Sequence, residues 1–437
     1  MREHGAPRST IELIFHPEFG SALAGKVVLV TGFWAQTMLF VVLTYERTGS
    51  AAWVGAVTAA QLLPQLCLAL LSGSMADKRG PQLPIVSGGI CSGLGCIGLA
   101  LWIGIPQTAN AVPVQIPLLT ASAVSGIGIA LASSAMQAVP PRLSAPSERA
   151  RAMSLNFLPT ALARTLGPIA GAGLASALGS VPTLAIVGGA CLGAAVIFLF
   201  IRRLGSPGSD TAHEHRLGGV VRYLRADRPL LAVLSGVAVI GVGSESAITL
   251  APPLANVLGI GAPGAGWVTG AFGVGGLVGV VGFRVCSRYC RPGTAGCLAM
   301  FLLGASMTAI GIAPSLPFAT AMLVVAGASM VTGITAFSII VQQRSPAAFL
   351  GRVMAVWIMA FSGIRPLAGL ALGFASDHAS TLTAVIGAGI LTVGGTLGVR
   401  WGLGEQRRSP AELSQGGGAP TLTSSGRGPH SGPSLDE

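Results

Sequence analysis

The chain has 437 residues, of which 51% are hydrophobic and only 9% charged. A water-soluble domain carries about a quarter charged residues, so this composition excludes a soluble globular protein of the same length. The formal net charge of +11 does not point to nucleic acid, because the charges sit in short clusters between apolar runs of the roughly 20 residues that cross a bilayer.

Residues 1–26 are mixed polar and read as a cytoplasmic N-terminal segment, with no cleavable signal. Twelve apolar spans follow, at 27–46, 51–72, 83–104, 112–136, 153–178, 181–201, 229–251, 264–284, 293–313, 317–341, 353–375 and 381–401. Gly and Pro recur inside them, which membrane helices tolerate because neighbouring helices restore the lost contacts. With the N-terminus inside, 23 of the 26 Lys and Arg residues, Lys26 among them, fall in inner segments. Only Arg47 falls outside, and Arg164 and Arg365 fall within spans. That bias predicts both termini in the cytoplasm of a bacterial cell, with the chain multi-pass in its plasma membrane.

The inner loop 202–228 divides the spans six and six. Leu217, Val220, Val221 and Leu224 lie at helical spacing among its arginines, which predicts an amphipathic helix on the inner membrane face. The expected units are therefore a 27–201 bundle, the 202–228 linker, a 229–402 bundle and a disordered cytoplasmic tail over 403–437. The fold expected is all-α and polytopic, with twelve transmembrane helices in two pseudo-symmetric six-helix bundles.

Internal similarity supports the division. "RAMSLNFLPTALARTLGP" in the fifth span aligns with "RVMAVWIMAFSGIRPLAG" in the eleventh, so Arg151 matches Arg352 and Arg164 matches Arg365 at one offset. A parallel repeat of this kind predicts a transporter that binds its cargo between the halves, near the midplane.

Between the second and third spans lies "GSMADKRGPQ". Gly73 permits close helix approach and Gly80 a tight turn. Asp77 can face the positive end of a neighbouring helix, and Lys78 and Arg79 mark the inner surface. The loop resembles the signature of the major facilitator superfamily. "RTGSAAWVGAVTAAQLLPQLCLALLSGSMADKRG", "VVRYLRADRPLL" and "FLGRVMAV" are similar to the branch containing the enterobactin exporter and macrolide efflux proteins. The resemblance implies the major facilitator fold and export of small amphipathic compounds by proton antiport, and it implies a conformational latch at Gly73, Asp77, Lys78, Arg79, Gly80 and Arg352. Gly167, Pro168 and Gly171 resemble the helix-packing signature of antiporters in the fifth span. Ser122 stands where such antiporters carry an arginine, and Ala163 and Ala172 stand where they carry glycines.

The residues that could carry transport are the polar groups inside the spans. Arg164 and Arg365 each cost about 2.5–3.5 kcal/mol to insert at a helix centre, so something must hold them. They could face cargo in a central cavity, pair with Glu245 as a gate, or be satisfied by carbonyls freed near Pro168 and Pro366. Glu245, in "GVGSESAI", is either the candidate proton relay, since a carboxyl moved between an apolar setting and an arginine changes its proton affinity, or a glutamate at the watery outer mouth. Asn156 and Gln61 could contact cargo or hydrogen-bond neighbouring helices.

The seven cysteines show no metal-ligand spacing or disulfide framework, so no metal and no cofactor is expected. No phosphate-binding loop of the GxxxxGK[ST] type occurs, and no catalytic constellation, so an enzyme is not expected. The function expected is secondary active efflux of a small amphipathic molecule such as an antibiotic or siderophore. The alternative is an uptake carrier or facilitator for an organic anion. Expected partners are that small molecule, protons and the bilayer, with no nucleic acid and a monomeric state.

Overall fold

The structure, a computed structural model, describes residues 9–105, 112–201, 204, 227–345 and 350–404. The predicted amphipathic helix around 217–224 and the tail beyond 404 lie outside the described residues. So do the side chains of Asp77, Lys78, Arg79 and Arg352, within helices whose backbone is described.

In chain order the helices are α1 (Thr10–Phe15), α2 (Pro17–Thr48), α3 (Ala51–Arg79), α4 (Gln82–Gly104), α5 (Gln115–Gln137), α6 (Val139–Leu143), α7 (Arg149–Leu178), α8 (Ser180–Leu199), α9 (Arg228–Thr249), α10 (Ala251–Val257), α11 (Ala265–Tyr289), α12 (Pro292–Ile312), α13 (Leu316–Arg344), α14 (Leu350–Gly363), α15 (Arg365–His378) and α16 (Thr381–Gly404). Twelve spans among them are long and apolar enough to cross a membrane. Large apolar side chains such as Leu94, Leu101, Phe374, Leu397 and Trp401 are exposed, as expected of a surface that meets lipid.

Two spans differ from expectation. The first begins at Pro17, ten residues before the predicted start. Pro at the first helical position and Glu18 in the first turn are ordinary helix-start features. Lys26, counted above as a loop cation, therefore lies inside α2 and is only 5% exposed. The eleventh span is interrupted at Ile364, between α14 and α15. Pro366 has no N–H to donate, and its ring crowds the preceding turn. Arg365 thus opens a new helix, whereas Arg164 sits inside the unbroken α7.

The packing follows the sequence halves. Among α2 to α8, α2 lies on α7 and α8, and α4 lies on α5 and α8. Among α9 to α16, α12 lies on α13 and α16, and α9 packs on α13, α14, α15 and α16. Glycines set the closest approaches. Gly167 and Gly171 of α7 face Trp34 and Ala35 of α2, so that an added Cβ would meet backbone and side-chain atoms there. Gly80 ends α3 at φ 85°, a conformation that L residues rarely adopt.

The halves meet along two seams, α3 against α15 and α7 against α11. In the first, Gly55 faces the backbone of Gly369, and Gly373 faces the Ala51 carbonyl. In the second, Gly266 faces Pro168 and Ala172, and Gly273 faces Arg164 and Thr165. Gly273 meets α7 at its middle, and the other approaches lie toward the end that holds Gly49 and Gly179, the arginine-poor end of the molecule. Asp377 ties the first seam across the halves. Its Oδ1 accepts from Ala51 N (2.7 Å), and its Oδ2 accepts from Ala52 N (3.0 Å) and from Ser50 Oγ. A carboxylate thereby caps the positive N-terminus of a helix in the other half.

Asp377→Asn keeps an acceptor but removes the charge. It should move the balance away from the closed seam by about 1 kcal/mol, roughly fivefold, read as a longer spin-label distance between the ends of α3 and α15. An unchanged distance distribution would count against the tie. Gly373→Val should shift the same distance further, because a branched side chain has no room against Ala51; a closed seam in that variant would contradict the close approach.

Candidate functional site

A cavity lies between the halves. Its first lobe, of about 260 Å³, is lined by Trp34, Met38 and Val41 of α2, Arg164 and Pro168 of α7, Phe272 and Leu277 of α11, and Met330 of α13. Its second lobe, of about 210 Å³, is lined by Lys26 and Phe33 of α2, Thr58, Gln61 and Gln65 of α3, Ser133 and Gln137 of α5, and Arg365 of α15. Trp34, Thr37, Thr160 and Ile248 border both. The first lobe is mainly apolar, the second carries more polar side chains among apolar ones, and they adjoin. The polar lobe reaches Lys26, Met136 and Gln137 at the arginine-rich ends of α2 and α5.

The two repeat-related arginines are held differently. Arg365 Nε donates to Glu245 Oε2 at 2.7 Å, and Glu245 is fully buried. Glu245 Oε1 also accepts from Thr249 Oγ1 at 2.8 Å. The pair joins α9 to α15 inside one half, so it does not bridge the halves in this state. Gly369 lies against Glu245 and Thr249, and its lack of a side chain leaves room for the carboxylate. Arg164 finds no carboxylate among the described residues. Its guanidinium lies 5.3 Å from the Trp34 ring centroid, and its Nη2 is 3.6 Å from Met330 Sδ. The ring face attracts a cation without neutralising it. Through Met330 the side chain reaches the other half. No carbonyl freed by Pro168 takes up this guanidinium among the described residues.

Asn156 is buried and placed by three helices. Its carbonyl and Oδ1 accept from Lys26 Nζ at 2.6 and 2.9 Å, and its Nδ2 donates to Gln137 Oε1 at 2.8 Å. Gln61 is 2% exposed and its Nε2 has no partner among the described residues. Gln65 lines the same lobe. Gln36 lies elsewhere, fully buried and accepting from Cys96 Sγ at 3.1 Å. Ser244 bonds back to its own helix, at the Gly241 carbonyl. No group of three or more His, Cys, Asp and Glu gathers among the described residues.

The structure thus brings Arg164, Arg365 and Gln61 to one cavity and puts Glu245 directly behind it, whereas Asn156 lies outside the lining of both lobes and reaches the second through Lys26 and Gln137. The side chains of the latch loop are not described. Sequence reasoning missed Lys26 and the seam role of Asp377. Pro17-Glu18 was the available signal for Lys26, since a helix starting there carries that side chain into the span. Asp377 offered none, because its partner is the backbone of a helix 325 residues away.

Comparison with known proteins agrees with this architecture. The family model of the Major Facilitator Superfamily matches residues 23–369. The multidrug efflux pump Tap of Mycolicibacterium fortuitum is 27% identical over 333 residues, covering 72% of this chain and 78% of that protein. The uncharacterised MFS-type transporter y4rN of Sinorhizobium fredii is 27% identical over 220 residues, covering 49% and 50%. Among solved structures, an inward-facing, unoccupied bacterial homologue of the human lysosomal transporter Spinster aligns with a TM-score of 0.69 at 15% identity, covering 89% of this chain and 96% of that one. A bacterial homologue of the iron transporter ferroportin, also inward-facing, aligns at 0.67 and 14%, covering 89% and 100%. With twelve spans in two packed halves and a family match across most of its length, the chain belongs to the Major Facilitator Superfamily.

Proposed function

We propose that this transporter exports a small amphipathic compound from the bacterial cytoplasm by alternating access, with protons as the counter-ion. The carrying observation is the adjoining apolar and polar lobes between halves that are sealed at the arginine-poor end. Taking the arginine-rich end as cytoplasmic, the cavity faces the cell interior and is positioned to load cargo. Similarity to a multidrug efflux pump supports the direction.

Glu245 is the proton site in this reading. A carboxylate in a dry setting keeps its charge while a cation holds it, and takes up a proton when the cation leaves. Coupling therefore requires Arg365 and Glu245 to separate in the outward-facing state. Both belong to one half, so the separation must come from a shift of α15 against α9. The break at Ile364 lets α15 move without carrying α14.

One observation favours a second reading, passage of an organic anion. Lys26 and Arg164 face the cavity with no carboxylate partner among the described residues. A cavity rich in cations gains affinity for an anion, and an anion that draws Arg365 away from Glu245 leaves that carboxyl free to take up a proton, which suits movement of both in one direction.

A pump-deficient host expressing the chain should accumulate less of a fluorescent amphipathic dye than the empty host, and collapsing the proton gradient should abolish the difference. Equal accumulation in both hosts would sink export, and higher accumulation would favour the second reading. In proteoliposomes, Glu245→Gln should retain exchange of cargo between the two sides and lose concentration of cargo against its gradient. Removing Glu245 alone strands a buried charge, so the double variant Glu245→Gln/Arg365→Gln should behave alike and insert better. Continued proton-driven accumulation in both variants would place the relay elsewhere.

A further inference from the structure

Lys26 is a buried ammonium with unused donor capacity. An ammonium has three N–H donors, and Asn156 takes two of them. Asn156 is itself fixed by Gln137, so α2, α5 and α7 together hold the lysine in one place. No carboxylate pairs with it among the described residues. Gln61, on α3, lines the same lobe, and its buried amide nitrogen has no acceptor among the described residues. Arg365 lines that lobe too, and its Nε is engaged by Glu245, while its terminal nitrogens have no hydrogen-bond partner among the described residues. Lysine and arginine can only donate. The lobe therefore offers donors from three helices and an excess of positive charge, while its neighbour is walled by Trp34, Met38, Phe272 and Met330.

We propose that the cargo is an amphipathic organic acid whose oxyanion is bound by Lys26, with Gln61 and Arg365 completing the head-group site and the apolar body lying against Trp34. The reading rests on the cavity being the transport site. An anionic oxygen would supply the acceptor that the third Lys26 N–H and the Gln61 amide lack. Such charge-assisted bonds contribute more than neutral ones and in a buried lobe set selectivity by charge. Lys26 then serves as the residue that tells an acid from its neutral analogue. A neutral amide in the same place would leave the ammonium uncompensated, and an amine would add like charge to it.

The test uses the full chain in lipid nanodiscs and three probes with one ring system, naphthylacetate, naphthylacetamide and naphthylethylamine, measured by equilibrium dialysis. The wild type should bind the acid on the order of tenfold more tightly than the amide, and the amine least. Equal affinity for all three, or no binding of any, overturns the proposal without recourse to a variant. Lys26→Gln should bring the acid down to the affinity of the amide, and Lys26→Arg should restore part of the difference. An undiminished preference for the acid in Lys26→Gln would assign the head group to other residues. Vesicle transport separates this from the export reading. Acid-selective binding with no movement of cargo would sink export and leave the site standing, and active export with no charge preference would do the reverse.

Discussion

Charge in a medium of low dielectric constant governs this molecule. Each cation placed inside a span must be met by a carboxylate, by water or by a polar surface. The cavity borders Lys26, Arg164 and Arg365, and among the described residues a single buried acid, Glu245, lies beside them. One pair can form and two cations are left. The glycine-lined seams, the polar wall of α3 and α5, and the aromatic face of Trp34 all bear on where those two are allowed to sit. A drier cavity would make the arrangement untenable, so the space between the halves is as much a solvent for the protein's own charges as a site for cargo.

The repeat illustrates how a symmetric sequence becomes an asymmetric machine. Arg164 and Arg365 occupy matching places, yet one lies inside an unbroken helix and the other starts a new one. Pro168 lies four residues beyond Arg164 and leaves α7 continuous, whereas Pro366 directly follows its arginine and breaks the span. Among the described residues only the second half pairs its arginine with an acid, from α9. The result is a neutralised arginine confined to its own half and an un-neutralised one that touches both. In a rocking mechanism the first responds to movement of α15 against α9 within its own half, and the second is exposed to every change in the distance between halves.

Much of the architecture was legible in the sequence. Hydropathy, the arginine bias and the repeat are statistical over many residues, so small local errors do not disturb them. The site was legible only in part. Arg164, Arg365 and Glu245 stood out because charge inside a span is rare, but their pairing depends on helix rotation, which hydropathy does not encode. Lys26 was hidden by its place at the edge of the apolar run, where a helix start and a loop end look alike. The interruption at Ile364 was visible as Pro366, but Pro159 and Pro168 carry the same signal within a continuous helix, so the outcome rests on packing. Asp377 could not be read, because what it recognises is the start of a helix, two backbone N–H groups and the Ser50 hydroxyl that precedes them.

That last property has an evolutionary consequence. The groups that Asp377 binds at positions 51 and 52 are peptide N–H groups, present whatever residue is encoded there, proline excepted. Those two bonds are therefore insulated from drift on the helix side, whereas the third, from the Ser50 hydroxyl, is not. A lineage that loses the carboxylate cannot recover the two backbone bonds by changing side chains at positions 51 and 52.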